Sequence, residues 1–172
     1  HPIIGCEVYV APRNRTDKVR ELDSENRHLV LLCKDETGYR NLSYMVSQAN
    51  LDGFYGKPRI DLSLLREHHE GLIALSACLA GEIPKRLLAG NYEGAKEHAL
   101  KMAELMGEDN YYLEIQDHGI EEQKVVLEGI LRIHKETGIP LVATNDAHYL
   151  RKEDARTQDV LMCIQMGKLV DE

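Results

Sequence analysis

The sequence has 172 residues, of which 43% are hydrophobic and 29% are charged, and its formal net charge is −8. This composition is ordinary for a soluble globular protein, and the length suits one domain with a substantial core. No apolar run approaches the roughly 18 residues of a membrane-spanning helix, and the acidic balance disfavours unaided nucleic-acid binding, because phosphates are contacted by Lys and Arg.

Five short apolar runs predict strands. Nearly continuous apolar runs are typical of parallel strands that are covered on both faces. Because helical patterns separate the runs, we expect right-handed crossovers and one parallel sheet with flanking helices. The predicted strands are Ile3–Val10, His28–Cys33, Leu72–Ser76, Tyr111–Gln116 and Leu141–Thr144.

Apolar residues at helical spacing predict six helices between and after these strands. Asp61 and Asn91 are predicted caps, Gly90 a stop, and Gly138 the end of the longest helix. The polar segment Ala11–Arg27 is predicted to be disordered. The predicted helices are Glu36–Ala49, Asp61–His68, Ala80–Ala89, Tyr92–Met106, Ile120–Thr137 and Lys152–Met166.

The chain begins with "HPIIGCEVYV", which is typical of a strand and not of a signal peptide. It lacks an initiator Met, so we expect a piece of a longer protein. No CxxC spacing connects the cysteines, which indicates reduced thiols in a cytoplasmic protein. The cysteines are Cys6, Cys33, Cys78 and Cys163.

Residues that can bind metals or carry protons fall at the strand ends. In "VATNDAHYL", Asp146 and His148 are two residues apart, which on a strand means the same side. Sites in parallel α/β sheets form at the carboxyl ends of the strands, so these side chains are expected to meet there. The other candidates in or just after the strands are Glu7, Cys78, Glu114, Asp117 and His118.

Two interpretations of these residues remain open from spacing alone. His28 begins its strand instead of following it, so it fits the pattern less well. A lone histidine in a sheet is more commonly structural, and a lone cysteine usually fills a core. If the residues do converge, a mixture of oxygen, nitrogen and sulfur ligands suits zinc or manganese better than magnesium or calcium.

Five ordered segments carry a family resemblance: "PIIGCEVYVAP", "HLVLLCKDETGYRNL", "GLIALSACLAGEIP", "YYLEIQDHGIEEQ" and "GIPLVATNDAHYL". Together they resemble the PHP (polymerase and histidinol phosphatase) domain found in the alpha subunit of bacterial DNA polymerase III. The resemblance extends from Pro2 to "DVLMCIQMGK". It implies an α/β fold, a distorted seven-stranded TIM-like (β/α) barrel with up to three metal ions at the C-terminal rim.

The resemblance also implies a ligand set. Asp146 and His148 are implied to be catalytic as well as metal-binding, whereas Glu114 and His118 are implied to support the site without being firm ligands. The implied cofactors are divalent zinc or manganese ions. The matched ligand positions are Glu7, His28, Cys78, Asp146 and His148.

The family pattern also has an HxH pair, an Asp and a further His upstream of "PIIGCE", and these are not in this sequence. About four of nine ligands are therefore missing, and an incomplete barrel of about five parallel strands is expected over residues 1–172, a single partial PHP domain. Its last helix, at about 152–166, would lead toward the polymerase region. We expect weak or partial metal occupancy and no catalysis by this piece alone, with its exposed sheet edges pairing in a homodimer.

Two functions follow from the resemblance. The first is a metal-dependent phosphoesterase, a 3′–5′ exonuclease proofreading module within a DNA-directed DNA polymerase, a nucleotidyltransferase of DNA replication. The second is a scaffold that stabilises the polymerase without catalysis, and a free small-molecule phosphatase is less favoured. The implied partners are DNA through the parent polymerase, other polymerase domains and replisome subunits, with no membrane.

Overall fold

The computed structural model describes residues 2–170 as a six-stranded sheet with helices packed on one side. The strand order across the sheet is β3-β1-β2-β4-β5-β6. All five predicted strands are present, each within two residues of its predicted ends, and β3 is an addition. The strands are β1 Gly5–Val10, β2 Arg27–Cys33, β3 Arg59–Ile60, β4 Leu72–Leu75, β5 Tyr111–Ile115 and β6 Leu141–Ala143.

The helices begin and end where capping chemistry predicts. The Asp61 carboxylate accepts a hydrogen bond from the backbone N–H of Leu64 at 2.8 Å, and the Asn91 side chain accepts one from Gly94 at 2.9 Å. Gly138 ends its helix with a left-handed φ of 76°. A 3-10 turn, Lys152–Asp154, precedes α7, and the helices are α1 Arg20–Asp23, α2 Glu36–Leu51, α3 Leu62–His68, α4 Glu82–Leu88, α5 Tyr92–Met106, α6 Glu121–Thr137 and α7 Ala155–Met166.

The direction of β2 differs from the prediction. β2 runs antiparallel to both of its neighbours, β1 and β4. The other three pairs, β1 with β3, β4 with β5, and β5 with β6, are parallel. The prediction of five parallel strands is therefore wrong at β2. The connection from β1 to β2 contains only the four-residue helix α1 and does not cross the face of the sheet to return in parallel.

The helices cover one face of β2 and leave the other partly open. Leu29 and Leu31 are buried, while the alternate residues His28, Val30 and Leu32 are only half-buried. For β2, this alternation contradicts the prediction of a strand covered on both faces. The buried side packs into one core whose fully buried members include Leu31, Met45, Leu65, Met102, Leu113 and Ile130.

The architecture is thus α/β, with a mostly parallel sheet and flanking helices. Within residues 2–170, β3 and β6 are the edge strands, each paired on one side. Closure into a seven-stranded barrel stays a prediction. Among these residues, no helix combines the length and the apolar character that crossing a membrane requires.

The segment Ala11–Arg27 is ordered around the buried side chain of Arg59, so the prediction of disorder is wrong. The Arg59 side chain is 0% exposed, and its guanidinium donates four hydrogen bonds to backbone carbonyls. Three of the four acceptors belong to this segment, so one arginine fixes its path. The acceptors are the carbonyl oxygens of Gly53, Asp23, Arg15 and Asp17, at 2.8 to 3.0 Å.

Asp23 supplies the negative charge in this network. Its buried carboxylate accepts two hydrogen bonds from Arg13, at 2.9 and 2.7 Å, and one from the backbone N–H of Val19 at 2.8 Å. The hydrogen bonds from Arg13, with the nearby charge of Arg59, hold the pKa of the Asp23 carboxyl below its ordinary value. The segment is therefore tied by charge as well as by its backbone.

We expect Arg59→Met to lower the free energy of unfolding by about 3 kcal/mol or more, because it leaves four backbone carbonyl oxygens without their donor and removes a positive charge near the Asp23 carboxylate. Urea denaturation followed by circular dichroism measures the loss. The matched control is Arg66→Met, which removes an exposed arginine of α3. Equal stabilities of the two variants would contradict the organising role of Arg59.

Candidate metal centre

Glu7, His28 and Cys78 come together at the edge of the sheet that is formed by the strand ends, where β1 and β4 finish and β2 begins. The His28 Nδ1 lies 2.7 Å from the Glu7 Oε1 and 3.7 Å from the Cys78 Sγ. The ligand atoms of the three residues all lie within 4.8 Å of one another. Residues 7, 28 and 78 are distant in sequence, so only the fold produces this group.

The antiparallel direction of β2 explains how His28 reaches this edge. His28 pairs with Tyr9, so the beginning of β2 lies beside the carboxyl end of β1. Glu7 is two residues before Tyr9 and lies on the same face of the sheet as His28. His28 begins its strand but still lies at this edge, because the first residues of β2 lie beside the last residues of β1, which runs in the opposite direction.

The loop after β4 carries Cys78 and is fastened to β2. Ala77 adopts a left-handed φ of 65°, which turns the chain sharply after the strand. The backbone N–H of His28 donates to the carbonyl of Ala80 at 3.1 Å. Gly81 is required here, because a Cβ at this position would lie 2.3 Å from the carbonyl oxygen of Ser76.

One of the three separations between the donor atoms matches that expected around a divalent cation. Ligand atoms around tetrahedral zinc lie roughly 3.3 to 3.8 Å apart, given ordinary zinc–nitrogen and zinc–sulfur bond lengths. The separation of His28 Nδ1 and Cys78 Sγ, 3.7 Å, falls in this range. The 2.7 Å contact between Glu7 and His28 is a hydrogen bond, so metal binding has to displace the proton that they share.

The protonation of Cys78 is set by its surroundings. Burial raises the pKa of its thiol, and the nearby carboxylates of Asp146 and Glu7 raise it further, against a lowering hydrogen bond from the Ala80 backbone. The thiol form is therefore favoured in the absence of a cation. A bound cation reverses this preference, because coordination deprotonates a thiol.

Asp146 and His148 lie in a pocket of about 470 Å³ that also includes Cys78, but they are not in the compact three-residue group. β6 ends at Ala143, so both residues belong to a loop and the alternation of a strand does not apply. Asp146 has a left-handed φ of 45°, which redirects the chain. The prediction of two side chains aimed from one strand is wrong for this reason.

The hydrogen bond of His148 defines which ring nitrogen carries its proton. Its Nδ1 lies 2.7 Å from the backbone carbonyl oxygen of Asp146. A carbonyl oxygen can only accept, so Nδ1 is the protonated nitrogen. In the neutral ring, Nε2 then holds the lone pair and can bind a metal or accept a proton.

His118 lies in the same pocket and is held by the buried side chain of Gln123. The backbone N–H of His118 donates to the Gln123 Oε1 at 2.7 Å, and the Gln123 Nε2 lies 2.9 Å from the His118 Nδ1. His118 is not among the residues grouped with Glu7. The sequence analysis did not predict a role for Gln123. Its position five residues after the histidine, in the first turn of α6, is the one sequence feature that agrees with this contact.

Glu114 is buried close to Cys78, and the two line a small cavity. Its Oε1 accepts hydrogen bonds from the hydroxyl of Thr144 and from the Gln116 amide, the latter at 3.2 Å. Its Oε2 is buried without a hydrogen-bond partner among the described residues. Through Thr144, Glu114 therefore connects β5 to the loop that carries Asp146. The sequence did not predict this contact.

A comparison with protein families gives this geometry a context. The profile of the PHP domain matches residues 1–118, which include Glu7, His28 and Cys78. The chain belongs to the PHP domain family. Asp146 and His148 lie beyond the matched part, so their assignment depends on the pocket and on the likeness to longer relatives.

Curated relatives of this PHP domain chain are DNA polymerase III alpha subunits. The chain is 50% identical to that of Treponema pallidum over 167 residues, 47% identical to that of Thermus aquaticus over 173, and 41% identical to that of Helicobacter pylori strain J99 over 182. These matches cover 96%, 99% and 99% of the chain but only 14%, 14% and 15% of the relatives. The chain thus spans about one seventh of their length.

We expect Cys78→Ser to weaken zinc binding by the chain about tenfold or more, because a thiolate ligand is replaced by a hydroxyl. Isothermal titration calorimetry measures the affinity, and Co²⁺ substitution reports the thiolate through its charge-transfer absorption. Cys163→Ser in α7 is the matched control. Unchanged zinc affinity and an unchanged Co²⁺ spectrum in Cys78→Ser would exclude Cys78 as a ligand.

Proposed function

We propose that this chain is part of the PHP domain of a replicative DNA polymerase alpha subunit, and that its metal centre hydrolyses phosphodiesters as a 3′–5′ exonuclease-type proofreading module. The observation that carries this proposal is the convergence of Glu7, His28 and Cys78 beside the pocket of Asp146 and His148. The names of the relatives supply the polymerase context.

The proposed ligands are Glu7, His28, Cys78, Asp146 and His148, and the proposed metal is zinc or manganese. A carboxylate, an imidazole and a thiol in one group are the donors that these ions accept, whereas magnesium and calcium prefer oxygen alone. When bound, such ions lower the pKa of water and neutralise charge on a phosphodiester. A divalent ion also lets a chain of net charge −8 accept a phosphate.

The chain's own residues divide the remaining work. The backbone carbonyl of Asp146 holds the His148 ring so that its Nε2 presents a lone pair. The proposed role of His148 is therefore ligation or acceptance of a proton at Nε2, and that of Asp146 is to supply a carboxylate oxygen. Glu114 positions the loop of these two residues through Thr144.

The proposal includes the partners and the location of the parent protein. DNA would reach the site through the parent polymerase, whose other domains and replisome subunits would be its neighbours in the cytoplasm. By itself this chain is proposed to be inactive and to bind metal weakly. Its edge strands β3 and β6 are the proposed surfaces for a homodimer of the isolated chain.

A scaffold function is the second candidate, and α7 favours it. No residue of this helix is buried, and its exposed side chains include Leu161 and the 72%-exposed Ile164. Apolar residues on an unburied helix are typical of a surface that packs against another domain. In this function the metals would stabilise the folded state by mass action, without hydrolysis.

We expect Asp146→Asn in the full-length parent to abolish manganese- or zinc-dependent trimming of a primer 3′ end, because the variant replaces a charged oxygen ligand by a neutral amide. Gel electrophoresis of an end-labelled primer measures the trimming. Asp159→Asn in α7 is the control, since it makes the same chemical change on an exposed helix face.

Retention of all trimming by Asp146→Asn would refute the catalytic proposal. If instead no trimming is detected in the wild-type protein, while metal removal lowers both its melting temperature and its polymerase activity, the scaffold function is correct.

A further inference from the structure

We propose that His118 donates a hydrogen bond from its Nε2 to a non-bridging oxygen of the phosphodiester that is hydrolysed at the proposed metal centre. This inference rests on the proposed phosphoesterase function and adds a substrate-contacting residue to it. It assigns His118 a role opposite to that of His148, since one ring presents a proton at Nε2 and the other a lone pair.

The Gln123 amide determines the tautomer of His118. Gln123 Oε1 accepts from the His118 backbone N–H at 2.7 Å, which fixes the oxygen end of the amide. The nitrogen end therefore faces the ring, and Nε2 of Gln123 donates to Nδ1 of His118 across 2.9 Å. Because Nδ1 accepts, the proton of the neutral ring is on Nε2.

The clamp is rigid and the ring is accessible. Gln123 is 5% exposed and belongs to α6, so its side chain has little freedom. His118 is exposed and lines the same pocket as Cys78, Asp146 and His148. A donor held in a fixed direction at the edge of a reaction site can stabilise charge as it develops, at no cost of reorganisation.

The composition of the pocket makes such a donor useful. Among the residues described, those that line the pocket include no Lys or Arg. A phosphate entering it meets the carboxylate of Asp146, so its charge has to be balanced by the metal and by neutral donors. His118 is placed in this pocket with a proton at Nε2, which a phosphate oxygen can accept.

A purely structural role for this pair makes a different prediction. The bond between the His118 backbone and Gln123 would hold the turn before α6 with any residue at position 118, because it uses only the main chain. In that case the identity of the ring would not matter to hydrolysis. Replacing the imidazole while the main-chain bond is kept therefore distinguishes the two roles.

The tautomer is tested first, in the chain and without any activity measurement. We expect ¹⁵N–¹H correlation spectra of labelled protein to show the His118 proton on Nε2. In Gln123→Glu, a carboxylate faces Nδ1, so the proton of the neutral ring is expected to move to Nδ1. A proton on Nδ1 in the wild-type chain would overturn the inference, whatever the outcome for the proposed function.

Trimming by the full-length parent then tests the contact with phosphate. We expect His118→Leu to lower kcat about 10- to 100-fold, the effect of losing one hydrogen bond to a charged group, with KM and zinc affinity little changed. His118→Gln keeps an N–H donor at a similar distance from the backbone and should recover most of the activity. His69→Leu, at the end of α3, is the matched control.

These results separate the two proposals. If Asp146→Asn abolishes trimming and His118→Leu does not reduce it, the role of His118 is refuted and the phosphoesterase function stands. A loss in His118→Leu that His118→Gln does not recover would also refute the donor role. Absence of trimming by the wild-type protein overturns both proposals together.

Discussion

The antiparallel direction of β2 is the constraint on which the candidate site depends. It places the first residues of β2 beside the last residues of β1, and so brings His28 to the edge where Glu7 and Cys78 lie. In an all-parallel sheet the first residues of that strand would lie at the opposite edge, some 20 Å away for a strand of this length. Strand direction, and not proximity in sequence, therefore creates the three-residue group.

The electrostatics of the site follow from the same arrangement. The group of Glu7, His28 and Cys78 and the neighbouring pocket contain carboxylates, a thiol and imidazoles. The described residues that line the pocket include no Lys or Arg. Such a site repels a phosphate until a cation is bound, because its own charge is negative. In the proposed phosphoesterase, metal binding and substrate binding would therefore be coupled by charge, because a bound divalent ion would offset the negative charge that a phosphodiester meets.

The sequence revealed the elements well and their direction poorly. Apolar runs and caps predicted Tyr92–Met106 to the residue, because period and capping are local properties. The direction of β2 could not be predicted, since a polar connection of this length permits either sense. The arrangement of Asp146 and His148 was also not predictable. They follow an apolar run, but β6 ends at Ala143, and the alternation of side chains along a strand does not apply beyond that residue. The contact of Gln123 with His118 could not be predicted, because a single glutamine on a helix forms no distinctive sequence pattern.

The Arg59 network has a consequence for how the connection between β1 and β2 is held. All four acceptors of the guanidinium are main-chain oxygens, so these four bonds do not depend on which side chains residues 15 and 17 carry, although the Arg15 side chain adds its own bond to the Asp61 carboxylate at 3.1 Å. A substitution at residue 15 or 17 therefore leaves in place the carbonyl oxygen that the residue offers to Arg59. The connection is thus anchored from inside the molecule through its main chain, by one side chain that belongs to a different part of the sequence.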